Sequence, residues 1–188
     1  MSTLAQWVSE HGVKFHEHIQ LTSNNDETNE EEDWSMELTQ SCTRGTTLLT
    51  VPKSLVLSSN HILTNELAQL SSSPSLKNML LQGYEQHLPE FSLLYKLLLE
   101  KSKQSSSTWY NWILSLPTAA SSTSSTLYMN DVESSCLPSF ALSLLQYERE
   151  KLHVFRDALY QICNSNSNSG IDLDDESIEW AYYIVTTR

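Results

Sequence analysis

His16-x-His18 is the pair most suited to metal chemistry in this chain, because alternate residues of a strand project from one face. A metal centre needs three or four ligands, and no cysteine or carboxylate cluster accompanies these two. Glu17 is expected on the opposite face. The pair therefore reads as a polar strand face, and no metal ligand is assigned. Cys136 and His153 are the residue types of a nucleophile and its base, but nothing in their spacing brings them together, and a buried thiol is the expectation. Trp109, Tyr110 and Trp112 could stack on a ligand; beside a leucine-rich helix they read as packing. The chain has only four glycines and no phosphate-cradling G-x-G-x-x-G or G-x-x-x-x-G-K-[ST] loop. Residue types and spacing alone assign no catalytic residue.

The elements that would position these residues follow from periodicity. Leu4, Trp7 and Val8 recur at helical spacing, with His11-Gly12 as a stop. From Val13 to Leu21 the chain alternates, with Val13, Phe15, Ile19 and Leu21 on one face, as a single half-buried strand would. Asn24 to Asp33 is too acidic to bury anything and reads as a solvated insertion, an interaction tail being the alternative. Arg44-Gly45 is a turn, Thr46 to Val51 a β-rich run, and Pro52 a break.

Beyond Ser58 the pattern turns helical. A short helix is expected around Ile62, Leu63, Leu67 and Leu70, and a firm one from Pro89 to Lys101 with proline in its first turn. A serine-rich connector leads to Trp109–Leu114. Thr118 to Thr126 reads as an exposed loop. A long helix spans Phe140 to Cys163 on Leu145, Leu152, Phe155, Leu159 and Ile162, with Glu148, Arg149, Glu150 and Lys151 as a solvent-facing set. Asn164 to Gly170 is a linker. Asp172 to Glu176 loads acid onto the start of a last helix, whose stripe is Ile178, Ala181, Tyr182 and Val185.

A chain of 188 residues fits one domain or one and a part, and 39% hydrophobic residues suffice for a core. The formal charge of −12 opposes nucleic-acid and anionic-membrane surfaces and favours a basic protein partner. Cys42, Cys136 and Cys163 are odd in number and lack CxxC spacing, so reduced, buried thiols are expected. With no apolar leader around Leu4-Ala5-Gln6-Trp7 and no run near the roughly 20 residues of a membrane span, an intracellular protein is expected, cytoplasmic or nuclear, with organelles left open.

The segment RGTTLLTVPKSLVLS (Arg44 to Ser58) resembles the early strand-turn-strand of SET-domain protein methyltransferases, in the branch related to the Rubisco large-subunit enzyme. Leu4 to Leu21 is similar to that family's entry helix and strand. FSLLYKLLLEKSKQSSSTWYNWILSLP (Phe91 to Pro117) resembles its leucine-rich helix and aromatic turn. TLYMNDVESSCLPSFALSLLQYEREKLHVFRDAL (Thr126 to Leu159) resembles its long helix, and DESIEWAYYIVTTR (Asp175 to Arg188) its helix ending W-A-x-x-x-V-x-[ST]-R. The fold implied is α+β: an incomplete SET-type β portion in residues 1–58, with the acidic insertion near 22–34, then a predominantly helical insert over 59–188.

The resemblance implies S-adenosylmethionine as cofactor and a lysine of a protein as methyl acceptor; Thr187-Arg188, rather than Ser-Arg, leaves a histidine-modifying branch open. It assigns Arg188 to the cofactor carboxylate and places the family's G-x-G turn on Asp33, Trp34 and Ser35, where no glycine stands and bulky side chains would crowd the cofactor. The family's NH motif and catalytic tyrosine would follow Arg188. The expectation is thus a truncated, inactive methyltransferase portion, binding S-adenosylmethionine weakly or not at all, with exposed apolar sheet edges. A non-catalytic protein-interaction module derived from a SET protein is the alternative, and a helical scaffold unrelated to SET proteins a third reading.

Overall fold

In the computed structural model of the protein, which describes residues 4–24, 33–59, 79, 83–117, 126–165, 171 and 173–187, the chain divides into two units. The first comprises Met1–Leu57 and Thr108–Leu116, the second Ser58–Ser107 and Pro117–Arg188. The aromatic segment near Trp109 thus returns to the N-terminal unit, which a single division at residue 58 does not anticipate. The whole is mixed α+β, with small antiparallel sheets in the N-terminal part and helices beyond.

In the first unit, α1 (Leu4–Glu10) buries Trp7, whose indole Nε1 donates to the Thr108 carbonyl at 2.9 Å. Gly12 ends the helix at φ +78°, a left-handed turn that lets the Val13 N–H reach the Val8 carbonyl at 3.0 Å. The single strand expected over Val13–Leu21 is instead two. β1 (Lys14–Phe15) pairs antiparallel with β4 (Leu49–Thr50), whereas β2 (Ile19–Asn24) pairs with β3 (Asp33–Leu38). The break is a tight turn in which the Ile19 N–H donates to the His16 carbonyl at 2.9 Å and the His18 N–H to His16 Nδ1 at 3.2 Å.

The acidic insertion is narrower than expected, because Asn24 and Asp33 at its margins are partners in the β2–β3 ladder; residues 25–32 lie outside the described residues. Arg44-Gly45 forms the expected turn, with Gly45 at φ +93°. Of the run Thr46–Val51, only Leu49 and Thr50 join a ladder. Pro52 then leads into a 3-10 turn, Lys53–Leu55, whose Leu55 carbonyl accepts from Trp109 Nε1 at 3.1 Å. This bond anchors the start of α2 (Tyr110–Leu114). Met36, Leu38 and Leu49 are exposed on these two-stranded sheets, and Val51 is exposed just past β4.

The second unit is built on three helices: α3 (Leu88–Ser102), α5 (Ser139–Ser165) and α6 (Asp175–Thr187). Pro89 sits in the first turn of α3, where its missing N–H breaks no helical bond. The short α4 (Asp131–Ser135) starts from a reciprocal cap, Asn130 and Glu133 each accepting the other's backbone N–H at 2.9 Å. Asp174 caps α6, its Oδ1 accepting the Ser177 N–H at 2.5 Å. Phe91, Phe155 and Tyr182 are fully buried and meet edge to face, with ring centroids 5.3 Å and 6.0 Å apart. Burying each such side chain contributes about 1.5–3 kcal/mol.

Two expectations for this unit are corrected. Lys151 is buried, and Glu148 and Arg149 are half-buried, so of the supposed solvent-facing set only Glu150 is exposed. Cys136 is exposed, because it lies in the turn after α4 rather than on a core face, and Cys163 here and Cys42 in the first unit are half-buried. Of the loop expected over Thr118–Thr126, Thr126 begins a 3-10 turn (Thr126–Tyr128), and of the linker expected over Asn164–Gly170, Asn164 and Ser165 belong to α5; the rest of both, the helix expected around Ile62–Leu70, and Arg188 lie outside the described residues. No helix among the described residues is long and apolar enough to cross a membrane.

Candidate functional site

Three helices bring ionisable groups together beside the aromatic core of the second unit. A 3-10 turn (Glu85–His87) runs into α3, so His87 and Glu90 lie one turn apart at its start. Tyr147, Glu148 and Lys151 come from one flank of α5, and Tyr182 comes from α6.

The bonds form one continuous path. Tyr147 Oη and His87 Nε2 are 2.6 Å apart, and His87 Nδ1 is 3.1 Å from Glu90 Oε2. Lys151 Nζ donates to that same Glu90 oxygen at 3.1 Å and reaches Glu148 Oε2 at 3.0 Å. Tyr182 donates its hydroxyl to Glu148 Oε2 at 2.5 Å. Lys151 Nζ also stands 5.5 Å from the Tyr182 ring centroid, where the π face attracts a cation. Burial, and then the hydrogen bond and charge of Glu148, push the Tyr182 hydroxyl well above the ordinary tyrosine value. At the outer end Tyr84 stacks on Tyr147 with centroids 6.3 Å apart. Its hydroxyl is raised by desolvation first and then by the charge of Glu150.

An ammonium held between two carboxylates has no lone pair to offer a substrate, so Lys151 braces the helices rather than attacking a carbonyl. The arrangement can relay a proton along Tyr147–His87–Glu90 and can fix the position of α5 against α3 and α6. Other charged groups extend the bracing. Arg156 on α5 pairs with Asp175 at 3.2 Å and Glu179 at 2.7 Å on α6. Buried Glu100 accepts from Lys96, Lys103 and Ser107 at 3.2, 2.6 and 2.7 Å. Among the described residues no group of three or more His, Cys, Asp or Glu is placed to hold a metal.

The residues singled out in the sequence lie elsewhere. The rings of His16 and His18 are 5.0 Å apart, but His16 Nδ1 is taken by a backbone N–H. Glu17, expected to point away, approaches His18 Nε2 to 3.9 Å because the chain turns there. Cys136 and His153 are not joined: the thiol donates to the Val132 carbonyl at 3.4 Å, and the imidazole faces Asp157 at 3.5 Å. Asp33, Trp34 and Ser35 lie in the β3 ladder, paired with Asn24, Ser23 and Thr22, rather than in a turn. Ser35 Oγ and Thr22 Oγ1 are 2.7 Å apart.

No protein-family model matches the chain. No curated protein matches it either. Sequence reasoning missed Lys151 as a core residue although a signal existed, since it precedes Phe155, Ala158 and Ile162 by four, seven and eleven positions on one helix.

Proposed function

We propose that this chain carries SET-type strands and the helical insert of an S-adenosylmethionine-dependent protein-lysine methyltransferase. The observation that carries this reading is the order of the resembling segments along consecutive elements. Arg44–Ser58 covers the turn, β4 and the 3-10 segment; Phe91–Pro117 runs from α3 to α2; Thr126–Leu159 covers α4 and most of α5; Asp175–Arg188 is α6 and the residue after it. Methyl transfer to an amine depends on in-line alignment and on oxygen acceptors around the methyl group. The residues that the resemblance assigns to those tasks are not within this stretch. Arg188 would contact the cofactor carboxylate, and a basic segment bearing lysine fits the acidic chain.

A non-catalytic interaction module is the second reading, favoured by the Asp33–Ser35 backbone being tied into a ladder where a glycine turn would be needed. An amide-resolved NMR titration with S-adenosylmethionine separates the two. The methyltransferase reading expects shifts confined to the last turn of α6, with a Kd of about 1 mM or weaker, lost in Arg188→Ala. No shifts at saturating cofactor would leave the interaction module. Micromolar affinity would overturn the claim that Asp33, Trp34 and Ser35 crowd the cofactor.

A further inference from the structure

The outer end of the ion cluster is a tyrosine that solvent reaches: Tyr147 on α5 is 37% exposed. Its Oη lies 2.6 Å from His87 Nε2, and His87 Nδ1 lies 3.1 Å from Glu90 Oε2. A carboxylate can only accept, so it fixes the imidazole hydrogen on Nδ1 and leaves Nε2 to accept the phenolic hydrogen. Hydroxyl, imidazole and carboxylate in that order are a nucleophile, its base and the group that orients the base. Packing holds the base in place. The His87 side chain is 16% exposed, and the Tyr84 ring lies against both partners, with centroids 6.2 Å from His87 and 6.3 Å from Tyr147. Gln86 Nε2 is 3.2 Å from His87 Nε2 and 3.5 Å from Tyr147 Oη, an amide donor beside the attacking oxygen.

We infer that Tyr147 is an acyl-acceptor nucleophile for neutral activated esters and thioesters, with His87 as its base and Glu90 as the positioning residue. The Tyr147 oxygen bonds to the acyl carbon while the bond from that carbon to the leaving oxygen or sulfur breaks, its electron pair departing with the leaving group. The phenolic proton passes to His87 Nε2 and then to the leaving group or to water, and Glu90 steadies the imidazolium in between. Lys151 Nζ, at 3.1 Å, holds that same Glu90 oxygen in place. The product is an acyl-tyrosine ester. It forms favourably only where the leaving group is less basic than a phenolate, which selects aryl esters and thioesters over alkyl esters and amides. Charge narrows the class further. Glu85 and Glu150 are exposed, and Glu90 and Glu148 are half-buried. Lys151 is enclosed between the last two, and Arg149 is turned to the Leu127 and Met129 carbonyls. Such surroundings repel phosphoryl donors and other anions. The inference does not rest on the methyltransferase reading.

The test is acetylation of the chain by p-nitrophenyl acetate near neutral pH, with nitrophenolate release read by absorbance and the modified residues located by peptide mass mapping. Tyr160 on the same helix is the internal control, because its hydroxyl donates to Asp175 at 3.0 Å rather than to an imidazole. Tyr147 should acquire the acetyl group about a hundredfold faster than Tyr160, in a stoichiometric burst that Tyr147→Phe abolishes. His87→Gln, with circular dichroism confirming that the helices persist, should remove this advantage. Its residual rate should climb about tenfold per pH unit, as attack by free phenolate does. Glu90→Gln removes the charge behind the imidazole, and should slow Tyr147 and move its pH profile to lower pH, which a packing role would not do. Equal rates at Tyr147 and Tyr160 in the unaltered chain would overturn the proposal. So would a Tyr147 rate and pH profile left unchanged by His87→Gln.

Discussion

Replacing Lys151 by methionine removes the ammonium and keeps a stem of similar volume, so it separates charge from packing. The lysine side chain is only 4% exposed, with Nζ 3.1 Å from Glu90 Oε2 and 3.0 Å from Glu148 Oε2. Removing one partner of a buried ion pair typically costs about 3–5 kcal/mol, because the charge left behind has lost its water. Here the abandoned carboxylates are only partly enclosed. The Glu90 side chain is 39% exposed and that of Glu148 37%, so water relieves part of the penalty. Glu148 also keeps the Tyr182 hydroxyl as a donor. The expected loss is therefore at or below the lower end of that range, about 2–3 kcal/mol, or a fall in Tm of roughly 4–12 °C for a chain of this length.

Urea unfolding followed by far-UV circular dichroism reads this loss, since the helices of the second unit dominate that signal. Tyr182→Phe removes the hydroxyl that shares the Glu148 oxygen with Lys151, so the two changes should couple by about 0.5–3 kcal/mol in a double-mutant cycle. The opposite outcome has a sound physical basis, because an apolar replacement of similar shape often matches a buried ion pair in stability. If Lys151→Met lies within about 0.5 kcal/mol of the unaltered protein, the aromatic core holds the three helices and the cluster is dispensable.

Alkaline pH should destabilise the second unit through Tyr182. Burial and Glu148 raise its folded value, while the unfolded side chain ionises near its ordinary value of 10.0. Above about pH 10 the folded state therefore binds the extra proton, and stability falls by up to about 1.4 kcal/mol per pH unit. Urea midpoints across pH 9–11 should fall less steeply in Tyr182→Phe, and equal slopes would refute the assignment. Acid acts through Glu100. Burial, the largest single influence, pushes its carboxyl up, but the bonds from Lys103, Ser107 and Lys96 and the Lys103 charge together hold it below the ordinary 4.5. Its contribution is present above that value and is lost as pH falls through the lower folded value. Glu100→Gln should thus be less stable than the unaltered protein at pH 7 and converge with it in acid; a gap that persists at low pH would mean packing rather than charge. Asp174→Ala should cost about 1 kcal/mol by freeing the Ser177 N–H, with Asp174→Asn retaining most of the cap in thermal melts.

The helices were legible because their signals are local. Pro89 before Phe91, Leu94 and Leu98, and Asp174 before Ile178 and Ala181, state both where a helix starts and which face it buries. The β portion was legible only in outline. Alternation runs from Val13 to Leu21 with one interruption, Glu17 in the apolar phase, and the turn at Glu17-His18 sends β1 and β2 into different sheets. That choice depends on pairing with Leu49–Thr50 and Asp33–Leu38, which local pattern does not encode. The ion cluster was illegible as a cluster for the same reason, since Glu90, Lys151 and Tyr182 meet only when three helices pack.

Residue type and burial part company at two places along α5. Glu148 to Lys151 looks like a solvated run by type, yet the phase set by Phe155, Ala158 and Ile162 turns Lys151 inward. Phe140 and Leu144 fall on that same face of the helix, five turns before Ala158 and Ile162, yet both are exposed. A buried charge needs compensating partners, which Glu90 and Glu148 supply. An exposed phenylalanine row needs none to fold and is destabilising to leave in water. Where local rules are broken without a structural gain, selection for something other than stability is the remaining cause. By that criterion Lys151 is accounted for within the fold, whereas Phe140 and Leu144 are not.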